Sequence, residues 1–129
     1  MDNLLISIKP EYVHRILSGE KKYEFRRTIF KRKVENIFIY STSPEMKIVG
    51  YFEYDGVVED TPTNLWERFH DCSGIPEKDF FDYYKGKDTG YAIRIGKLHV
   101  FDDDFDVKNL EKFRAPQSFQ YVSEDLLKD

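Results

Sequence analysis

The segment Gly19-Glu20-Lys21-Lys22-Tyr23-Glu24-Phe25-Arg26-Arg27 gathers cations, carboxylates and a chain-reversing glycine in one short stretch. A glutamate set among lysine and arginine stays ionised and accepts hydrogen bonds, while its cationic neighbours donate them. Such a surface suits a polar planar ligand or a phosphate. Gly19 can take the left-handed conformation that ends a helix. The alternation after it puts Tyr23 and Phe25 on one face of a strand and Lys22, Glu24 and Arg26 on the other.

Elements on both sides must position this segment. Residues 4–9 read as an opening strand and 10–18 as a helix, with Pro10 suited to the first turn and Tyr12 or Val13, Ile16 and Leu17 forming its apolar stripe. A strand over 22–27 leads through a basic loop to Asn36-Ile37-Phe38-Ile39-Tyr40, an apolar run that predicts burial on both faces. The turn Ser41-Thr42-Ser43-Pro44 joins it to a long strand over 47–58, in which Gly50 marks a bulge or a close backbone approach. Thr61-Pro62 caps a helix carrying Leu65, Trp66 and Phe69 on one face. Pro76 opens a second helix, which carries Phe80, Phe81 and Tyr84 before Gly86. Strands return over 90–101, with a break or bulge at Gly96-Lys97, and over 118–122. The order predicts a single α+β domain over 1–122, built as a small barrel or strongly curved mixed sheet flanked by helices, with a frayed tail at 123–129.

Composition bounds the function. One domain of ordinary size is expected from 129 residues, and the 16% aromatic content favours strands around an aromatic core. A single cysteine, Cys72, cannot form an internal disulfide. With no secretory leader and no bilayer-spanning apolar run, the expectation is a soluble, cytoplasmic protein of a reducing compartment. The net charge of -4 argues against a generic nucleic-acid-coating protein, yet it hides a polarity. Residues 1–33 hold nine Lys and Arg against four Asp and Glu, a balance of +5, and the remainder carries -9. Seven of those nine cations fall within 21–33, enough to attract phosphate over a Debye length of about 10 Å. Lys31-Arg32-Lys33 reads equally as a solvated loop.

Other chemistry is excluded or weak. Asp102-Asp103-Asp104-Phe105-Asp106 lacks the glycine and distal glutamate of a calcium loop and reads as a solvated acidic turn. His14, His70 and His99 have no metal-ligand spacing. His70-Asp71-Cys72 does not make a nucleophilic pair, because adjacent helical residues diverge. Phosphate-binding, dinucleotide and nucleophile-elbow fingerprints are lacking, so neither cofactor nor metal is expected. Trp66 at helical spacing reads first as core, with stacking on a nucleobase as its functional alternative.

The pattern G-x-K-x-x-E-x-R, here Gly19, Lys21, Glu24 and Arg26, resembles the signature of the ASCH family, a branch of the PUA-like superfamily. Leu4-Leu5-Ile6-Ser7-Ile8-Lys9-Pro10 resembles the family's first strand; Ile48-Val49-Gly50-Tyr51-Phe52 and Gly90-Tyr91-Ala92-Ile93-Arg94-Ile95 resemble later strands. The resemblance implies a PUA-like fold that recognises RNA or a modified nucleoside in a cleft floored by Lys9, Lys21, Glu24 and Arg26. Lys22 joins them on the strand face, and Ser41, Thr42 and Gln117 complete the rim. Related YTH and EVE domains hold a modified base in an aromatic-lined pocket, which implies such a pocket here, with Trp66 as a candidate wall. Some small members resemble amidohydrolases acting on N4-acetylcytidine through the motif lysine, a threonine in place of the motif glutamate and a further glutamate from the helical region. Lys21 matches that pattern; Glu24 replaces the threonine, and Asp71 is only a weak substitute for the last carboxylate. Ribonuclease activity is a further implication of the resemblance.

Overall fold

The computed structural model describes residues 2–106 and 115–122, with the side chains of 104–106 left aside. Its elements run β1 (Asp2–Ile8), α1 (Pro10–Leu17), β2 (Tyr23–Arg26), β3 (Val34–Ser41), β4 (Lys47–Asp60), α2 (Pro62–Phe69), a 3-10 turn (His70–Cys72), α3 (Glu77–Tyr83), β5 (Gly90–Asp106) and β6 (Phe119–Val122). The sequence-predicted tail at 123–129 lies outside the described residues.

One mixed six-stranded sheet organises the chain in the order β2-β5-β4-β3-β1-β6. β1 runs parallel to β3, and its other neighbour, β6, is antiparallel, as are the remaining pairs. Parallel neighbours need a long crossover, and α1 with β2 provides it. Strand register slips between Ile39 and Tyr40 and between Ile48 and Gly50, and both irregularities bend the sheet. A Cβ at Gly50 would lie 2.4 Å from the His99 carbonyl oxygen, so the close backbone approach read from this glycine is present.

The fold is thus α+β and PUA-like, and of the two expected forms it is the curved sheet rather than a closed barrel. No backbone pairing joins the edge strands β2 and β6 among the described residues. A side chain brings the two edges together instead. Arg26 of β2 donates from Nη2 to the Ser7 carbonyl oxygen of β1 at 2.8 Å and from Nη1 to Ser118 Oγ, just before β6, at 3.0 Å. Two further expectations are corrected. β5 does not stop at 101 but continues as strand to Asp106, pairing Lys47 with Asp106 and Ile48 with Phe105, so the acidic run is not a turn. Pairing with β4 holds this run extended whatever its charge, because the ladder satisfies backbone groups irrespective of side chain.

Apolar packing occurs on both faces of the sheet. Leu4, Ile6, Ile8, Ile37, Ile39, Phe52 and Ile93 meet Val13 and Ile16 of α1 in the main core. Phe25 and Ala92 meet Leu65, Phe69, Phe80 and Tyr84 of the helical region in a second. Burying a residue such as Phe52 completely contributes about 2–3 kcal/mol. Tyr23 stacks on Phe69 and Phe25 meets Phe80 edge-on, so β2 is clamped by its apolar face and turns its polar face inward. No described helix is long and apolar enough to cross a membrane.

Candidate functional site

The G-x-K-x-x-E-x-R residues converge. Gly19, at φ +87°, ends the region of α1 and releases the chain into a turn whose Lys21 N–H donates to the Arg15 carbonyl oxygen at 2.9 Å. Lys21 is only 4% exposed, and its Nζ donates to the Ser73 carbonyl oxygen at 2.6 Å. It also lies 3.7 Å from Glu24 Oε1, with the rings of Phe25 and Tyr12 at 5.0 and 5.6 Å. Glu24 Oε2 accepts both Nε and Nη2 of Arg26, at 3.1 and 2.7 Å. The order along this buried chain is therefore Ser73 carbonyl, Lys21, Glu24, Arg26, then Ser7 and Ser118.

Burial pushes the Lys21 ammonium below the ordinary lysine range; Glu24 opposes that shift, while Arg26 and Arg15 reinforce it. Protonation of Lys21 is thus easier to lose than in water, the property expected of a lysine that hands over a proton or a hydrogen bond. The position depends on a glycine. Gly74 has φ +64°, and a Cβ there would fall 2.5 Å from Lys21 Cβ. Behind the strand, burial raises the Tyr84 hydroxyl well above the usual tyrosine range, so it stays protonated and donates to the Arg26 carbonyl oxygen at 3.0 Å.

These groups open into a cleft of about 720 Å³ whose lining includes Lys9, Lys21, Glu24, Arg26, Thr42 and Gln117. That volume is within the usual range for a small-molecule site. Thr42 is fixed by its backbone, which donates to the Ile8 carbonyl oxygen and accepts from Glu45 N–H. Lys22 projects away from the cleft, exposed; its backbone joins β5 through Ile95 and the 3-10 turn through Cys72. Ser41 is fully buried and donates to Glu45 Oε1 at 2.7 Å, outside the lining. Trp66 packs on Phe80 at 5.1 Å and donates from Nε1 to Glu77 Oε1 at 3.1 Å, so it serves the helical core and does not line the cleft. Asp71, with a side chain 92% exposed, pairs with its neighbour His70 and is not brought to Lys21 or Glu24.

Sequence reasoning missed one wall. Glu11 and Tyr12 of α1 and Asp79, Asp82 and Tyr83 of α3 also line the cleft. Burial raises the Tyr12 hydroxyl, and nearby Glu11 and Asp79 raise it further, which registers the negative field of that wall. The signal was present in the spacing: 79, 82 and 83 lie three and four residues apart and share one helical face. Carboxylates on one wall and the buried lysine and arginine on the floor make a polarised site that can accept from amino groups and donate to a carbonyl or an anion. No group of three or more described His, Cys, Asp or Glu residues could hold a metal ion.

Comparison with known proteins bears on the family and the fold. The family model described as ASCH domain matches residues 6–116. The chain is 28% identical over 126 residues to the ASCH domain-containing ribonuclease of Zymomonas mobilis, covering 94% of this chain and 84% of that protein. The crystal structure of ASCH from Zymomonas mobilis superposes with a TM-score of 0.88 at 26% identity, covering 95% of this chain and 89% of that one. Large ribosomal subunit protein uL22 of Ureaplasma parvum is 28% identical over 122 residues; the match takes in 94% of this chain but spans 39% of that relative's length. With a family match over residues 6–116, most of its length, the chain belongs to the ASCH domain family.

Proposed function

We propose that this protein recognises RNA, through a base or modified nucleoside seated in the cleft of Lys21, Glu24 and Arg26. The observation that carries the reading is the buried Lys21–Glu24–Arg26 chain at the floor of a 720 Å³ cleft. Lys21 has one hydrogen-bond acceptor in Ser73, leaving donor capacity toward the cleft. Glu24 spends Oε2 on Arg26 and keeps Oε1 at a longer 3.7 Å from Lys21, so Oε1 is the acceptor for an amino or imino group. Arg26 is committed to Glu24, Ser7 and Ser118; its role is to hold the carboxylate in place. Thr42, Lys9 and Gln117 supply the rim. The similarity to an ASCH domain-containing ribonuclease supports RNA as the ligand class.

A second reading, hydrolysis of RNA or of an acylated nucleoside in the same cleft, is favoured by the depressed proton affinity of Lys21 beside a carboxylate. Isothermal titration with the four ribonucleosides and with N4-acetylcytidine, together with chromatography of RNA incubated with the protein, separates the two. Lys21→Met preserves the buried stem and removes the donor. A hydrogen bond to a charged group contributes about 1.5–3 kcal/mol, so binding should weaken roughly 10- to 100-fold. Unchanged affinity in this variant would refute the binding site. Multiple turnovers that vanish in Lys21→Met would put the hydrolytic reading first.

A further inference from the structure

The β2–β3 loop carries Arg27-Thr28-Ile29-Phe30-Lys31-Arg32-Lys33, four cations with no acidic residue, in a chain of net charge -4. Its conformation is built, not slack. Phe30 is buried against Tyr54 and Phe119, and the peptide N–H groups of Lys31 and Arg32 both donate to Tyr121 Oη at 2.9 Å. The Arg32 guanidinium lies over the Tyr121 ring at 4.4 Å, and the Arg27 guanidinium lies over the Tyr83 ring at 4.8 Å. Arg27, Lys31, Arg32 and Lys33 are nevertheless exposed. Among the described residues their one acidic partner is Asp2, which stands 3.7 Å from Arg32.

The loop is continuous with the cleft. Tyr83 lines the cleft and its hydroxyl accepts the Arg27 N–H at 3.2 Å, while Ser118, which receives Arg26, leads directly into β6 and Tyr121. The part of the rim formed by Glu11, Asp79 and Asp82 is repulsive to phosphate. A polyanion with one base in the cleft is therefore drawn away from these carboxylates and toward the cationic loop. We propose that Arg27, Lys31, Arg32 and Lys33 form a phosphate track for the single strand flanking the bound base, with Tyr121 and Tyr83 holding the guanidinium planes. This rests on the cleft taking a base, and it assigns the direction in which the RNA leaves.

The test uses a fluorescein-labelled single-stranded RNA decamer of mixed sequence, with anisotropy read from 0.05 to 1 M salt. Each phosphate neutralised on a single strand contributes about 0.7 to the slope of log affinity against log salt. The combined change Lys31→Gln, Arg32→Gln, Lys33→Gln should lower the slope by about 2 and weaken binding about 100-fold at 0.1 M salt, with the difference closing near 1 M. Lys31→Arg with Lys33→Arg should keep both, since charge is retained. Nucleoside binding should be unaltered by the glutamine changes, which separates this inference from the cleft: loss of nucleoside binding only in Lys21→Met leaves the track standing or falling on its own slope. An unchanged slope in a variant that melts like the original chain overturns the track. Loss of binding to vesicles of phosphatidylserine and phosphatidylcholine with RNA affinity intact overturns it too and gives the loop to a membrane surface.

Discussion

Replacing Glu24 by Gln keeps the shape of the buried chain and removes its only anion. In the original protein Glu24 is 7% exposed, with Arg26 at 2.7 Å and Lys21 at 3.7 Å. The substitution leaves two buried cations facing one neutral amide. Breaking a buried pair by removing one partner costs about 3–5 kcal/mol; the amide oxygen still accepts from Arg26, so the lower figure applies. At roughly 2.1 cal/mol/K per residue, a chain of 129 residues unfolds with an entropy of about 270 cal/mol/K, and 3 kcal/mol lowers Tm by about 11 °C. The loss should also depend on pH. Burial holds the Lys21 pKa below its usual 10.5 while Glu24 pulls it up, so removing Glu24 lowers it further. Over the window between the lowered value and 10.5 the unfolded chain binds more protons than the folded one, and stability rises with pH. That window is wider in the variant, so the gap in Tm between the two proteins should narrow from pH 7 to pH 10. Calorimetric melting at both values measures it. A shift under about 3 °C at pH 7, or a gap that stays constant with pH, would refute the electrostatic coupling argued for these three residues.

Three further outcomes follow from the geometry. Gly74→Ala forces a methyl to within 2.5 Å of the Lys21 stem at a backbone φ of +64°, and it should cost at least about 1 kcal/mol by denaturant unfolding and weaken nucleoside binding along with it. Trp66→Phe removes a hydrogen bond to Glu77 and part of the packing on Phe80, so it should lower stability by about 1–2 kcal/mol and leave titrated nucleoside affinity as it was; a weakened affinity would return Trp66 to the site. Thr61→Ala deletes the side chain that caps α2 by accepting from Asn64 N–H at 3.2 Å, and urea unfolding should show a loss of about 1 kcal/mol.

Much of the local structure was legible in the order of residues. The Val13–Ile16 stripe of α1, the proline starts of α1 and α2, the turn at Gly19 and the opposed faces of β2 follow from backbone periodicities that act over a few residues. The carboxylate–guanidinium pair of Glu24 and Arg26 belongs here too, since two residues apart on a strand share a face. What the sequence could not decide was which segments meet. Lys21 and Lys22 are chemically alike, yet one is buried in the cleft and the other projects into solvent, because both precede β2 in a turn where strand alternation does not operate and Gly74 leaves room for one stem. Ser41 and Thr42 divide in the same way: Glu45 takes the serine, and the cleft receives the threonine. The acidic wall of α3 reaches the basic floor across more than fifty residues of chain. Closure of the site by Arg26 onto Ser7 and Ser118 required the sheet to curve until its edges faced one another. That curvature is set by twist and by register slips along the β3–β4 and β4–β5 pairs, whose cooperative packing no local pattern records.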